Sequence, residues 1–189
     1  VEAPHPGDSI PFWKKALAEG KPRAAHSLVL VTGAQAEGGH SADAYNELGL
    51  FVMEGRIPQI RRNEANAVHY FSTACEMGSV PGCSNVAVQF LYLGQYRSEE
   101  DVRRAFDTLE RACAAGADDK TCFLVGAAYE RGDGRPLDPR RALHWFQQCR
   151  RVNLYAWKGM ARLGLMYDGL PLDLAKVVPA LTAGCDQGD

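Results

Sequence analysis

Apolar residues fall at spacings of four and then three in three stretches of the chain: Ala67, Phe71 and Ala74; Ala105, Leu109 and Ala112; Ala142, Phe146 and Cys149. That +0, +4, +7 spacing places each set on one stripe of an α-helix, so each predicts an amphipathic helix, here called helix A. Alternating with them are stretches in which a large residue stands beside a small one: Leu48-Gly49, Val86-Ala87, Val125-Gly126 and Leu163-Gly164. These predict a second helix, helix B, running to a glycine stop at Gly55, Gly94, Gly132 or Gly169. Gly78 and Gly116 follow helix A by a few residues and stop it in the same way. A glycine inside a helix costs about 1 kcal/mol relative to alanine. Its return at one register therefore predicts close helix-to-helix approach.

The small residues of helix B stand at 49, 87, 126 and 164, in steps of 38, 39 and 38 residues. A period of this size, filled by two helices, specifies an all-α solenoid of antiparallel helix pairs. Solenoids mostly bind other macromolecules, so the first expectation is a scaffold and not a catalyst. The loops between units are rich in Gly and Pro, most clearly Gly132-Asp-Gly134-Arg-Pro136-Leu-Asp138-Pro139, where Asp138 is set to cap a helix that opens on Pro139. Near the start, Ser9 caps a predicted helix over 11–19, Gly20-Lys-Pro22 stops it, and a second helix over 23–32 completes a degenerate pair. The expectation is a single solenoid domain over 1–189, with 1–40 an N-terminal tail and capping repeat and 41–189 the regular repeats. Cys185-Asp-Gln-Gly188 matches Cys75-Glu-Met-Gly78, so the last repeat is expected to be truncated. Val1 is read as a processed or internal start, and the segment 1–7 lacks the layout of a signal peptide.

Composition changes this picture little. The 189 residues are 46% apolar and 23% charged, in keeping with a folded chain. A formal net charge of −2 gives no global attraction to nucleic acid or anionic lipid. No apolar run approaches the roughly 18 residues of a membrane-spanning helix; the longest is Ser27-Leu-Val-Leu-Val31.

Candidate chemistry centres on six cysteines. Cys75 and Cys83 are eight residues apart, Cys113 and Cys122 nine, and each pair spans a predicted helix A and the helix B after it. Disulfides, buried thiols and metal ligation are all open on spacing, although zinc sites favour tighter Cys and His clusters. The histidines at 5, 26, 40, 69 and 144 show no such cluster. His69 and His144, at +2 of their helices, are expected to face solvent. In the fourth unit Cys149 takes the small-residue position and Met160 stands where Cys83 and Cys122 stand, so Cys149 is expected to be a free, buried thiol. No nucleophile, metallopeptidase, phosphate-binding or dinucleotide-binding motif is present, nor a Cys-x-x-Cys. No cofactor or metal is expected.

Two features mark a candidate binding face. Arg103-Arg104 and Arg140-Arg141 precede helix A at equivalent positions, and Arg150-Arg151 follow in the fourth unit. Stacked repeats would align the first two pairs into a basic stripe, partly offset by Glu99, Glu100 and Asp101. Tyr155 and Trp157 fall in a stretch that replaces the cysteine hairpin and is expected to be a loop, where recognition residues concentrate. Trp145, at +3 of its helix, is expected to pack.

The pattern Ala-x2-x-aromatic-x2-Ala-Cys, then Cys, then Leu-Gly-x2-Tyr-x-x-Gly resembles the Sel1-like repeats of the tetratricopeptide superfamily. It is clearest in Val125-Gly126-Ala-Ala-Tyr129-Glu-Arg-Gly132 and Leu163-Gly164-Leu-Met-Tyr167-Asp-Gly169, and it covers 41–189. The resemblance implies a right-handed superhelix with helix A residues on the concave side. Through the cysteine-rich branch of the family it also implies disulfides Cys75–Cys83 and Cys113–Cys122. Disulfides imply an oxidising compartment, either the mitochondrial intermembrane space or the bacterial periplasm and exterior. The expected function is that of a non-catalytic scaffold, accessory subunit or assembly factor binding protein partners in a larger, possibly respiratory complex, with no nucleic acid and no transmembrane segment of its own. The alternative is a free secreted protein that binds a host or cell-wall ligand. Weak β-lactam hydrolysis, attributed to some relatives, is a third and more remote class.

Overall fold

The computed structural model describes residues 41–55, 62–149 and 154–172, with single positions at 15, 32, 175 and 177–179. The degenerate first pair, the truncated last repeat and Cys185 lie outside the described residues, apart from those single positions. Among the described residues there are helices and no strand: α1 (Ala42–Glu54), α2 (Glu64–Glu76), α3 (Val80–Leu93), α4 (Glu99–Ala114), α5 (Asp119–Arg131), α6 (Pro139–Gln147) and α7 (Leu154–Met166). Helix B of the sequence pattern is α1, α3, α5 and α7; helix A is α2, α4 and α6.

The starts of α1 to α6 each follow from a short polar residue at the N-cap. The side chains of Ser41, Asn63, Ser79, Ser98, Asp118 and Asp138 accept from backbone N–H groups of the first turn, each such cap stabilising by about 1 kcal/mol. Pro139 opens α6, where its missing N–H has no helical partner to lose. Helices α3 and α5 end on Gly94 (φ 63°) and Gly132 (φ 75°), a left-handed conformation that strains any residue with a Cβ.

The predicted stripes form the core. Ala67, Phe71 and Ala74, Ala105 and Leu109, and Ala142 and Phe146 are all buried, while Ala112 and Cys149 at the third position of their stripes are half-buried. The recurrent glycine of helix B has a steric cause. A methyl group on Gly49 would lie 2.4 Å from the Phe71 ring, and one on Gly126 would lie 2.5 Å from the Phe146 ring. Where the facing +4 residue is Leu109 and not Phe, the equivalent helix-B residue is Ala87, and both are fully buried. Phe146 is held from its other side too, since a methyl on Gly159 would sit 2.6 Å from its ring. The junction from B to the next A is thus a bulky ring set into a gap left by a missing side chain.

The junction from A to the next B is covalent. Cys75–Cys83 joins α2 to α3 and Cys113–Cys122 joins α4 to α5, with Cα atoms 4.6 and 5.1 Å apart. Between α6 and α7 the bridge is missing: Met160, 5% exposed, fills the second cysteine's place, and Cys149 is free and half-buried. Its thiol donates to the Asp119 carbonyl at 3.5 Å. Burial, reinforced by the charge of Asp119, pushes the Cys149 thiol up to about 12, so at neutral pH it is protonated and a poor nucleophile.

Stacking order corrects one expectation. Among helices of type B, α1 touches α3, α3 touches α5 and α5 touches α7; among those of type A, α2 touches α4, but no Cα of α4 comes within 8 Å of α6. Helices approach most closely on the inside of a curved stack, so the inner, concave layer is α1, α3, α5 and α7, not the helix A set. Side-chain bonds tie that layer together at each step. Asn85 Nδ2 donates to Asn46 Oδ1 at 2.8 Å, Arg131 Nη1 to the Leu91 carbonyl at 2.9 Å, and Arg162 to both carboxylate oxygens of Glu130 at 2.9 and 2.8 Å.

Gly126→Ala should destabilise the fold by about 1–3 kcal/mol through overpacking, and Phe146→Leu in the same chain should recover part of that loss by recreating the Ala87–Leu109 pairing. Denaturation midpoints of the single and double variants read this directly; additive losses would show that ring and gap are not coupled. Replacing Cys113 and Cys122 together with serine should cost about 2.5 kcal/mol by loop entropy. Cys149→Ser should stay within about 1 kcal/mol, and the native Cys149 thiol should resist maleimide until the chain is unfolded.

Candidate functional site

One edge of the stack is built from the connections that lead from B helices into A helices, residues 94–98 and 132–138, with the first turns of α4 and α6. Arg103 and Arg104 lie in the first turns of α4. Arg103 pairs with Glu100; Arg104 Nη1 lies 3.3 Å from Glu76 and 3.4 Å from Asp101. Asp101 is 4% exposed and is gripped by Arg97, whose Nε and Nη2 lie 2.7 and 2.8 Å away. Burial alone would raise its carboxyl, but the hydrogen bonds from Arg97 and Ser98 and the charge of Arg104 hold it below the usual range. Arg97 also reaches Glu76 at the end of α2. Arg103 and Arg104 are therefore partly neutralised, more by Glu76, Glu100 and Asp101 than by Glu99.

At the equivalent place on α6, Arg140 and Arg141 are exposed. Arg141 Nη1 donates to the Tyr129 hydroxyl at 3.2 Å and its guanidinium lies over that ring at 5.6 Å. The Tyr129 hydroxyl in turn donates to Glu110, which also pairs with Arg135 at 2.6 Å. The two arginine pairs thus occupy matching positions but different surroundings. His69 and His144 face solvent on the outer layer, and Trp145 is half-buried against the core.

Tyr96 stands between two clefts on this edge. One, of about 590 Å³, is lined by Glu64, Val68, His69, Gln95 and Arg97. The other, of about 270 Å³, is lined by Phe90, Val102, Arg103 and Gly134. The Tyr96 ring meets Phe90 edge-on at 5.2 Å. Tyr96 was not singled out by sequence pattern; its only signal is an aromatic residue just past the Gly94 stop.

Tyr155 and Trp157 differ from expectation in their element. Both lie in the first turn of α7 and not in a loop. Nothing between 154 and 158 breaks a helix, and without a cysteine bridge to hold the turn, α7 begins six residues ahead of Met160 where α3 and α5 begin three ahead of their cysteines. Trp157 is half-buried and packs on the core. Tyr155 is 67% exposed, tilted against Phe123 at 5.9 Å, with Lys158 Nζ above its ring. Arg150 and Arg151 lie outside the described residues. On the same inner layer, Tyr92 is 45% exposed and the Arg131 guanidinium lies over its ring at 4.8 Å. Tyr92, Arg131, Lys158 and Arg162 carry no motif and were legible only once the curvature was known.

These groups supply cations, hydrogen-bond donors and aromatic faces, which are the means of recognition. Among the described residues, no group of three or more His, Cys, Asp or Glu is placed to hold a metal ion, and no helix is long and apolar enough to cross a membrane.

Comparison with known proteins agrees with this architecture. The Sel1 repeat model matches residues 42–79, 80–116 and 120–148. Each matched unit is a B helix followed by an A helix, so the phase differs by one helix from the A-then-B reading of the sequence, and each disulfide joins successive repeats. Cytochrome c oxidase assembly factor 7A of Xenopus laevis is 27% identical over 105 residues, covering 56% of this chain. The match spans 45% of that protein, under half its length. A Sel1 repeat protein from Oxalobacter formigenes has a similar crystal structure, with TM-score 0.71 at 20% identity over 98% of this chain and 74% of that one. A protective antigen of uropathogenic Escherichia coli with an SLR fold aligns with TM-score 0.56 at 15% identity, over 94% of this chain and 44% of that one. At such identities the two structures show a common fold alone. With three repeats matched over more than half its length, the chain belongs to the Sel1 repeat family.

Proposed function

We propose that this chain is a non-catalytic scaffold that serves as an accessory subunit or assembly factor for a larger protein complex. Sel1 repeats are protein-interaction modules, and the observation that carries the reading here is covalent stapling between successive repeats. A stack held rigid before binding loses less freedom when a partner docks. Disulfides persist in oxidising compartments; the intermembrane space of mitochondria is the proposed location, with the bacterial periplasm as the alternative. The likeness to a cytochrome c oxidase assembly factor supports the assembly role, on a match that covers part of that protein.

The proposed contact residues are Arg103, Arg104, Arg140 and Arg141 on the edge and Tyr155 and Trp157 in the first turn of α7, together with Arg150 and Arg151, which lie outside the described residues. Tyr155 and Arg140 are favoured by their exposure, whereas Arg104 is engaged by Glu76 and Asp101.

Native affinity purification without reductant, followed by mass spectrometry, tests this reading. The expected result is stoichiometric recovery with a multi-subunit complex, diminished when Cys75, Cys83, Cys113 and Cys122 are replaced together. Recovery as a lone protein would overturn it in favour of a free secreted ligand-binding protein.

A further inference from the structure

We propose that the inner face shared by α3, α5 and α7 docks an extended acidic segment of a partner protein. This rests on the scaffold reading and names the chemistry of its ligand. Three successive inner helices each present a cation or an aromatic ring: Tyr92 on α3, Arg131 on α5, and Tyr155, Lys158 and Arg162 on α7. All five are exposed. Tyr92 lies within electrostatic reach of Arg131, Arg162, Glu130 and Tyr155, and Lys158 joins the group through the Tyr155 ring.

The cations are oriented before any ligand arrives. Arg131 is fixed between the Tyr92 ring at 4.8 Å and the Leu91 carbonyl at 2.9 Å, through a single Nη1 donor. Arg162 is fixed on Glu130 through Nε and Nη2. Lys158 is set over Tyr155 at 5.9 Å. A guanidinium held this way retains N–H donors for a carboxylate and has already lost part of its rotamer entropy. Aromatic faces beside arginine make up the usual energetic centre of a protein interface.

Spacing and charge select the occupant. Packed helices lie about 8–10 Å apart, and an extended chain advances about 3.3–3.6 Å per residue, so carboxylates about three residues apart would meet successive helices. Glu130 lies inside the strip and cancels one of its three cations. That leaves a modest positive charge, which suits a few carboxylates better than the dense phosphates of a nucleic acid or the surface of an anionic bilayer.

The test is fluorescence anisotropy with a labelled synthetic peptide carrying glutamate at every third position and Leu or Tyr between. Controls are the same peptide with glutamine for glutamate, a single-stranded DNA oligomer and phosphatidylserine vesicles. The glutamate peptide should bind about tenfold more tightly than its glutamine form and weaken with added salt. Arg131→Gln combined with Lys158→Gln should weaken it about tenfold. Lys158→Gln alone, which breaks no backbone contact, should give a smaller loss in the same direction. Arg111→Gln, on the outer helix α4, should leave binding within about twofold. Equal affinity for the two peptides, an equal loss from Arg111→Gln, or tighter binding of DNA or vesicles would overturn the assignment. The two readings fail separately: a strip variant that still recovers the native partner in full removes the acidic-segment docking and leaves the scaffold standing, whereas absence of any partner for the unaltered chain removes the scaffold itself.

Discussion

The contact on which the stack depends is the insertion of one large side chain per repeat into a gap on the preceding B helix. Phe71 fills the space at Gly49 and Phe146 the space at Gly126. Each is nearly or wholly excluded from solvent, as is Leu109 at the register of Ala87. Ring and gap must match in volume, because a packed interior has no slack to absorb an added methyl group. The cost of placing glycine within a helix is offset by this close approach of B to A helices, while consecutive B helices are bonded separately through Asn85, Arg131 and Arg162.

The opposite junction of each repeat is secured differently. Cys75–Cys83 and Cys113–Cys122 limit how far the chain can open there when unfolded. The junction from α6 to α7 has no bridge, and there Phe146 is clasped by Gly126 on one side and Gly159 on the other. Packing thus takes over where the covalent link is missing. The same absence accompanies the earlier start of α7 relative to Met160, and its first turn carries Tyr155 into solvent.

Charge is distributed unevenly between edge and inner face. On the edge, arginines are largely used by the fold: Arg97 grips the buried Asp101, and Arg135 bridges Asp107 and Glu110. On the inner face Arg131 and Lys158 lie on aromatic rings, while Arg162 is held by Glu130; Arg141 is the edge arginine that lies over a ring, that of Tyr129. A cation over a ring keeps its capacity to meet an anion, whereas one locked to a carboxylate has much of that capacity filled. This is why a basic dipeptide such as Arg103-Arg104, conspicuous in the sequence, is the weaker mark of a binding face.

The sequence by itself determined the helices, their caps and their period, because those depend on local spacing: Ala67, Phe71 and Ala74 define a stripe wherever they occur, and Asp138-Pro139 starts a helix without help from distant residues. It also supplied the cysteine pairs, through resemblance to a family and not through spacing alone. The loop expected around Tyr155 and Trp157 failed because the missing bridge at Met160 frees the chain to continue as helix, an effect of what the segment is tied to and not of its own composition. Curvature was decided only in the tertiary structure. Which helices lie inside depends on how close each layer approaches across the whole stack, and that closeness is the sum of many volume matches between residues about 20 to 40 positions apart. The inner strip of Tyr92, Arg131, Lys158 and Arg162 becomes one surface only after those matches are made.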